Sequence, residues 1–583
     1  METKKSFLGL LKTTKEIFGH VERKRKKQFS FLLVLTLIGA FAEILSLSSI
    51  IPFIAALVNP QDVLEFEVIA YFANILGITE SSDLIIFITI VFISAAILAG
   101  ITRLILLWFS IRLANLTGAD ISIKIFNITL YQPYQVHVSR NTSEVISNIT
   151  MKVNMAIVVL TSMVTAISSF VLFSVIIATL FIIDPLICMI TFFVFGVSYI
   201  FIGFASKSIL KSNSIKLANS QDAVMRTLQE GMGAIREILL ENIQSLYKDN
   251  YSTAIRSLKK STGDNAFINQ YPRYVLEAIG IIVIACIAAY YSSGESNSIN
   301  NILPVLGALA FGAQRLLPLL QQFYGNWAYV IGSQAQLEDV IKMLNQKMPL
   351  TDIERAENIK FKNSIKIDNI GFKYQGTNEE ILKDINLEIA KGSRIGISGA
   401  TGSGKSTLMD IILGLLKPSS GRLCVDGIEL SENNIVSWQE NIAHVPQNIF
   451  LLDASIEKNI AFSEKDENID RDLVRRCAIQ AQLENFIENT PEKYETMVGE
   501  RGAKLSGGQM QRIGIARALY KKADVLVFDE ATSALDYNTE KEVMESIENL
   551  SNELTIFIVA HRLSTIEFCD NVIHLENKSF NIK

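Results

Sequence analysis

Cysteine is scarce in this chain. Five occur in 583 residues (Cys188, Cys286, Cys424, Cys477 and Cys569). No two stand at CxxC spacing, which argues against a disulfide framework and a thiolate metal site. Charge is also thin, with 19% charged residues against 49% hydrophobic ones. That balance is too apolar for a wholly soluble protein. The net charge of −5 gives no basic footprint for a nucleic-acid partner. No small-residue cleavage site follows the polar, basic start of the chain, so no removable signal peptide is expected. Lysine and arginine are missing altogether from 59–83, from the Asp184-Pro185 turn and from 292–301.

What is present is unevenly placed. Mean hydropathy is +0.30 because long apolar runs fill the first 330 residues and an ordinary soluble mixture fills the rest. Crossing a bilayer takes about 20 apolar residues. Six runs qualify as expected spans: 29–58, 84–113, 155–183, 186–204, 274–291 and 302–324. The connections that lack Lys and Arg would face outward. The other two are basic, with Lys124, Arg140 and Lys152 in one and Lys207 through Lys260 in the other. Arg23, Lys24, Arg25, Lys26 and Lys27 precede the first run as a further inward signal. A multi-pass protein of the cell membrane with both termini cytoplasmic is expected.

The basic connections are long and poor in Pro and Gly. They are expected to be helices that leave the membrane and turn back near 118–121 and 230–236. Glu43, Glu277, Arg103, Arg273 and Arg315 lie within or near the spans. Charges at such depth face a cavity or pair with one another, and the sequence leaves both open. Residues 62–76 could form an amphipathic helix on the outer surface or a loop packed on its neighbours.

Beyond a linker at 331–363, residues 364–583 read as α/β. A strand-like run leads into Gly399-Ala400-Thr401-Gly402-Ser403-Gly404-Lys405-Ser406-Thr407, and an apolar helix follows. This is P-loop spacing in its required context, where backbone N–H groups and a helix N-terminus receive phosphates. Lys405 is expected at the β- and γ-phosphates and Ser406 at Mg²⁺. The buried run Val525–Phe528 ends in Asp529 and Glu530, expected to contact Mg²⁺ and to polarise the attacking water.

Leu505-Ser506-Gly507-Gly508-Gln509 resembles the signature of ABC transporters, and further family elements stand in order around it. The resemblance implies that Tyr374 stacks on adenine and that Gln447 senses the γ-phosphate and Mg²⁺. It implies that His561 acts as the switch histidine, and that Ser506 and Gly508 bind ATP held by a second subunit. The expected fold is a six-span helical bundle (1–330) fused to an α/β P-loop ATPase. ATP and Mg²⁺ are implied as cofactors and a second half-transporter, most simply a homodimer, as partner.

EILSLSSIIP (43–52), YQPYQVHVSRN (131–141) and QRLLP (314–318) resemble flippases of lipid-linked oligosaccharides. That resemblance implies Arg103, Arg273 and Arg315 as receivers of a diphosphate headgroup, and 62–76 as an outer helix. Export of drugs, other lipids or peptides is the alternative substrate reading. An ATP-gated channel or regulatory subunit fits less well, because the ATPase motifs are intact.

Overall fold

The computed structural model describes residues 13, 15–58, 63, 67–76, 81–183, 185–292, 299–348, 359–374, 377, 379–530, 537–548, 554–559, 569–576 and 579–582. It divides into two compact units, 1–131 with 140–347 and 132–139 with 348–583.

The first unit is helical. Helix α1 (Arg23–Ser48) breaks at Ser49 and resumes as Ile50–Val58; Pro52, which cannot donate to the carbonyl of Ser48, lies in the first turn after the break. It is followed by α2 (Ser81–Leu130), α3 (Val153–Ile183), α4 (Pro185–Gly233), α5 (Gln244–Ser292) and α6 (Ile299–Gly332). Each of the six apolar runs lies in one of these. Among the described residues, 23–57, 81–130, 142–179 and 193–233 are long and apolar enough to cross a membrane. Large apolar side chains such as Phe41, Ile97, Leu104 and Phe201 are exposed along them, as lipid-facing surfaces require. At 50 residues α2 is about 75 Å long, well beyond the ~30 Å hydrocarbon core. It must therefore project out of the membrane.

The turn expected at 118–121 is not there. Helix α2 runs through it and stops at Leu130, before Pro133. Gly118 serves packing instead of breaking the helix, since a Cβ at this position would overlap the Ile157 side chain. Gly118→Val gains a few tenths of a kcal/mol in helix propensity but overpacks this contact by about 1–3 kcal/mol. The variant should lower the thermal midpoint of the purified protein. The second expected turn lies where predicted: α4 ends at Gly233, a short helix Ile235–Leu240 follows, and α5 begins at Gln244.

Helix α7 (Gln334–Leu344), inside the stretch read as linker, belongs to the first unit and buries Leu337, Val340 and Ile341 among Ile121, Ile125 and Val153. In the same unit, Glu67–Leu76 is helical. Its Ile69 packs on Val63, Leu84 and Ile88, while Tyr71, Phe72 and Ile75 stay exposed.

The second unit is built on two sheets. Strands β1 (Ser364–Phe372), β2 (Leu382–Ala390), β4 (Ser420–Val425) and β5 (Ile428–Glu429) form an antiparallel sheet in the order β2-β1-β4-β5. The other sheet runs β10-β9-β3-β8-β7-β6. It uses β3 (Arg394–Gly399), β6 (Ile442–Val445), β7 (Val525–Asp529), β8 (Thr555–Val559), β9 (Asn571–Glu576) and β10 (Ser579–Ile582). All its pairings are parallel except β9–β10. The central strands β7 and β8 are almost wholly apolar and buried, because both faces are covered. Ile397, Val559 and Asp529 stand level across β3, β8 and β7, so these strands end at one edge. The short helix Tyr134–Val138 clusters with this unit.

Candidate nucleotide site

That shared carboxyl edge collects the chemistry. Where β3 ends, Gly399, Gly402 and Gly404 take φ of 150°, 83° and 97°, a path L side chains rarely follow. A Cβ on Gly399 would lie 2.5 Å from the Leu575 carbonyl oxygen and 2.8 Å from Ser403 Oγ. The loop thus closes into a cradle that only glycine permits. Gly404 opens helix α8 (Lys405–Ile412) and directs its first N–H groups toward the cradle.

The Lys405 side chain is buried across the loop and donates to the carbonyls of Gly399 (2.9 Å) and Ala400 (3.1 Å). Two of its three N–H bonds are so used, and the third remains to donate. Ser403 Oγ is buried without a hydrogen-bond partner among the described residues. An orphan of this kind costs about 1–3 kcal/mol, which an anion accepting from it removes. Thr401 and Ser406 are exposed, and Thr407 is buried with its hydroxyl 3.4 Å from the Tyr374 hydroxyl. Tyr374 is held edge-on by Phe372 at 5.0 Å, which fixes an aromatic ring beside α8.

Asp529 and Glu530 follow β7. Glu530 has φ of 50°, unusual for a residue with a side chain, and two bonds hold it there. Its N–H donates to the Val559 carbonyl (3.0 Å), and its carboxylate accepts from Gln447 Nε2 (2.7 Å). Burial, then Glu530, raise the Asp529 carboxyl above its ordinary value, while Lys405 lowers it. Burial and then Asp529 push Asp410, on α8, up to about 6. Two neighbouring carboxyls raised in this way are a setting a divalent cation relieves. Burial, then Asp410, also raise the Tyr134 phenol.

Ser506 caps helix α9 (Gly507–Tyr520). Its hydroxyl accepts from the Gln509 N–H (3.2 Å), and its own N–H donates to Gln509 Oε1 (2.8 Å). The Ser506 hydroxyl proton is therefore left to donate outward, beside the N–H groups of Gly507 and Gly508. Arg517 on α9 ties this helix to the segment after Gln447, donating to Phe450 O (2.9 Å) and Asn459 O (2.8 Å). Burial lowers its pKa to about 10.

The edge brings Gly399–Thr407, Gln447, Asp529 and Glu530 together. The bonds of Ser506 stay within its own turn. His561 falls outside the described residues, two positions after β8 ends level with Asp529.

Residues 382–533 match the ABC transporter family, and residues 14–313 match its transmembrane region. The chain belongs to the ABC transporter family. It is an exporter-type half-transporter, a multi-pass membrane unit fused to an ATPase that couples ATP hydrolysis to transport. YgaD of Bacillus subtilis, an ATP-binding/permease protein named for multidrug export, is 30% identical over 67% of each chain. An ATP-dependent lipid A-core flippase of Thiobacillus denitrificans is 30% identical over 63% of each. A beta-(1→2)glucan export protein of Brucella suis is 33% identical over 52% of this chain and 50% of its own. These last two are matched over less than two thirds of their length. A bacterial Atm1-family ABC exporter solved with ATP bound shares the fold, with a TM-score of 0.75 at 22% identity over 95% of this chain and 94% of that one.

The membrane-half arginines part company. Arg103 pairs with Glu43, a fully buried acid on α1, and so joins α1 to α2. Arg273 is exposed on α5 and lines a polar cavity. The side chain of Arg315 falls outside the described residues.

Proposed function

We propose that the transporter is a homodimer that moves a lipid-linked oligosaccharide across the cell membrane, both termini cytoplasmic. The observation that carries this reading is Arg273, on a cavity of about 460 Å³ in the membrane unit with no ion pair among the described residues. A guanidinium in such a setting attracts a phosphate-bearing headgroup. The short segments that resemble oligosaccharide flippases point the same way, as do the relatives named for lipid A-core flipping and glucan export.

The ATPase chemistry follows from the edge. Tyr374 stacks on the base, the Gly399–Thr407 loop and Lys405 hold the phosphates, and Ser506 and Gly508 of the other subunit close the site. Ser406, Gln447 and Asp529 would hold Mg²⁺, which supplies charge neutralisation at the phosphates when bound. Glu530, oriented by Gln447, accepts a proton from the attacking water, and His561 steadies the γ-phosphate.

ATPase rate in nanodiscs tests the substrate reading. Undecaprenyl-diphosphate-linked oligosaccharide should stimulate the wild type. In Arg273→Ala the half-stimulating concentration should rise about tenfold, the effect expected from losing one charge-assisted hydrogen bond. A wild type that ignores this lipid and responds to drugs or peptides would retire the flippase reading and leave the exporter intact.

A further inference from the structure

The cavity beside Arg273 has a chemistry that a phosphate alone does not explain. Its lining is mostly carboxamide: Asn269 and Gln270 from α5, Gln321, Gln322 and Asn326 from α6. On each helix these positions recur within one face, at 269, 270 and 273, and at 318, 321, 322, 325 and 326. A stripe of amides at the end of a membrane span is costly unless it faces polar matter.

The backbone builds the space. Glycines on α6 let α5 approach closely, since a Cβ on Gly325 would overlap the Asn269 amide and one on Gly332 would lie 2.9 Å from Asn265 Nδ2. Beside this contact both helices carry a proline, Pro272 within α5 and Pro318 within α6. A proline removes a helix hydrogen bond and bends the chain, and the cavity lies at this level.

The amides are also oriented. Ser169 Oγ donates to Gln322 Oε1 (3.0 Å), so Gln322 offers its N–H₂ donors. Asn326 Nδ2 donates to the Gln322 carbonyl (2.7 Å), so Asn326 offers its oxygen as acceptor. A phosphate needs donors only. A neutral group whose hydroxyls both donate and accept matches a mixed set. The volume suits a small-molecule site of about 300–1,000 Å³. By the orientation read from basic connections, the cavity lies where spans five and six end on the cytoplasmic side, at headgroup depth.

We propose that this carboxamide cavity is a saccharide subsite, which takes the sugar next to the phosphate as the lipid is loaded from the cytoplasmic leaflet. The inference rests on the flippase reading and adds to it a site for the sugar itself. Gln322 and Asn326 contact the hydroxyls, and Arg273 meets the neighbouring anion.

The test compares two lipids on nanodisc-embedded dimers: undecaprenyl diphosphate, and the same carrier bearing an oligosaccharide. For Gln322→Leu and Asn326→Leu, the half-stimulating concentration of the glycolipid should rise about tenfold, the loss of about one to two hydrogen bonds. That of undecaprenyl diphosphate should hold. If Gln322→Leu fails to fold, Gln322→Ala carries the same comparison. Equal shifts for both lipids in the variants, or no shift in them while the wild type responds, would overturn the subsite and leave the flippase reading standing. A wild type that answers to neither lipid would remove both. A variant that becomes monomeric without a lipid-selective shift would assign this face to the second copy and overturn the proposal.

Discussion

Glu530→Gln is expected to lower ATP turnover about 10²–10⁴-fold, the usual contribution of a positioned general base, while nucleotide affinity stays within about threefold. The substitution removes basicity and little else. Gln447 Nε2 donates to Glu530 Oε2 at 2.7 Å, and an amide oxygen can still accept that bond, without the charge assistance. The backbone N–H bond to Val559 is untouched, and Gln tolerates φ near 50° as Glu does. Losing one negative charge beside Asp529 also eases the repulsion that raises that carboxyl and would meet the anionic nucleotide. Gln447→Ala is the companion variant. It keeps the charge of Glu530 but frees its direction and removes the Gln447 contact proposed for Mg²⁺, so turnover should fall and nucleotide affinity should weaken at low Mg²⁺. Phosphate release and equilibrium binding of a fluorescent ATP analogue separate the two effects. Undiminished turnover in Glu530→Gln would move the base elsewhere.

The ATPase edge was legible because its chemistry is local. Glycine spacing, a buried apolar strand and a terminal Asp-Glu pair stand within short stretches of sequence, and the parallel sheet does the rest by ending its strands together. Two features were hidden because they are made by residues far apart. Asp410 reads as an ordinary helix residue until burial sets it against Asp529. Arg517 reads as a helix cation until it reaches Phe450 and Asn459. The Ser506–Gln509 capping box could have been found, since Ser-x-x-Gln before a helix is a start signal. In the membrane half, apolar length gave the spans, but composition could not say which glycines break helices. Gly233 ends one and Gly118 packs one, and only the neighbour across the contact distinguishes them. Arg103 carries the same lesson, because its partner Glu43 lies on another helix.

Lys152 shows how far the topological reading of charge can mislead, and it supplies the second large effect. Counted along the sequence it is one more inward-facing cation. In the fold it is 1% exposed, donating to Asp222 on α4 (3.0 Å) and Asp339 on α7 (2.8 Å). It stands at the end of a π-helical turn, Asn148–Lys152, so three elements meet on one ammonium. Breaking a buried pair on one side typically costs about 3–5 kcal/mol, because the partner charge is left behind. Lys152→Met leaves two carboxylates behind. Both keep partial solvent access, and Ser147 still donates to Asp222 while Lys342 still pairs with Asp339, so the low end near 3 kcal/mol is the expectation. A lower thermal midpoint in detergent reads it. Replacing all three charges, with Asp222→Asn and Asp339→Asn added to Lys152→Met, should recover much of the loss, since neutral partners no longer repel. A single variant as stable as wild type would show the ammonium to be dispensable. A triple variant no better than the single would place the cost in lost packing around the lysine stem, not in stranded charge.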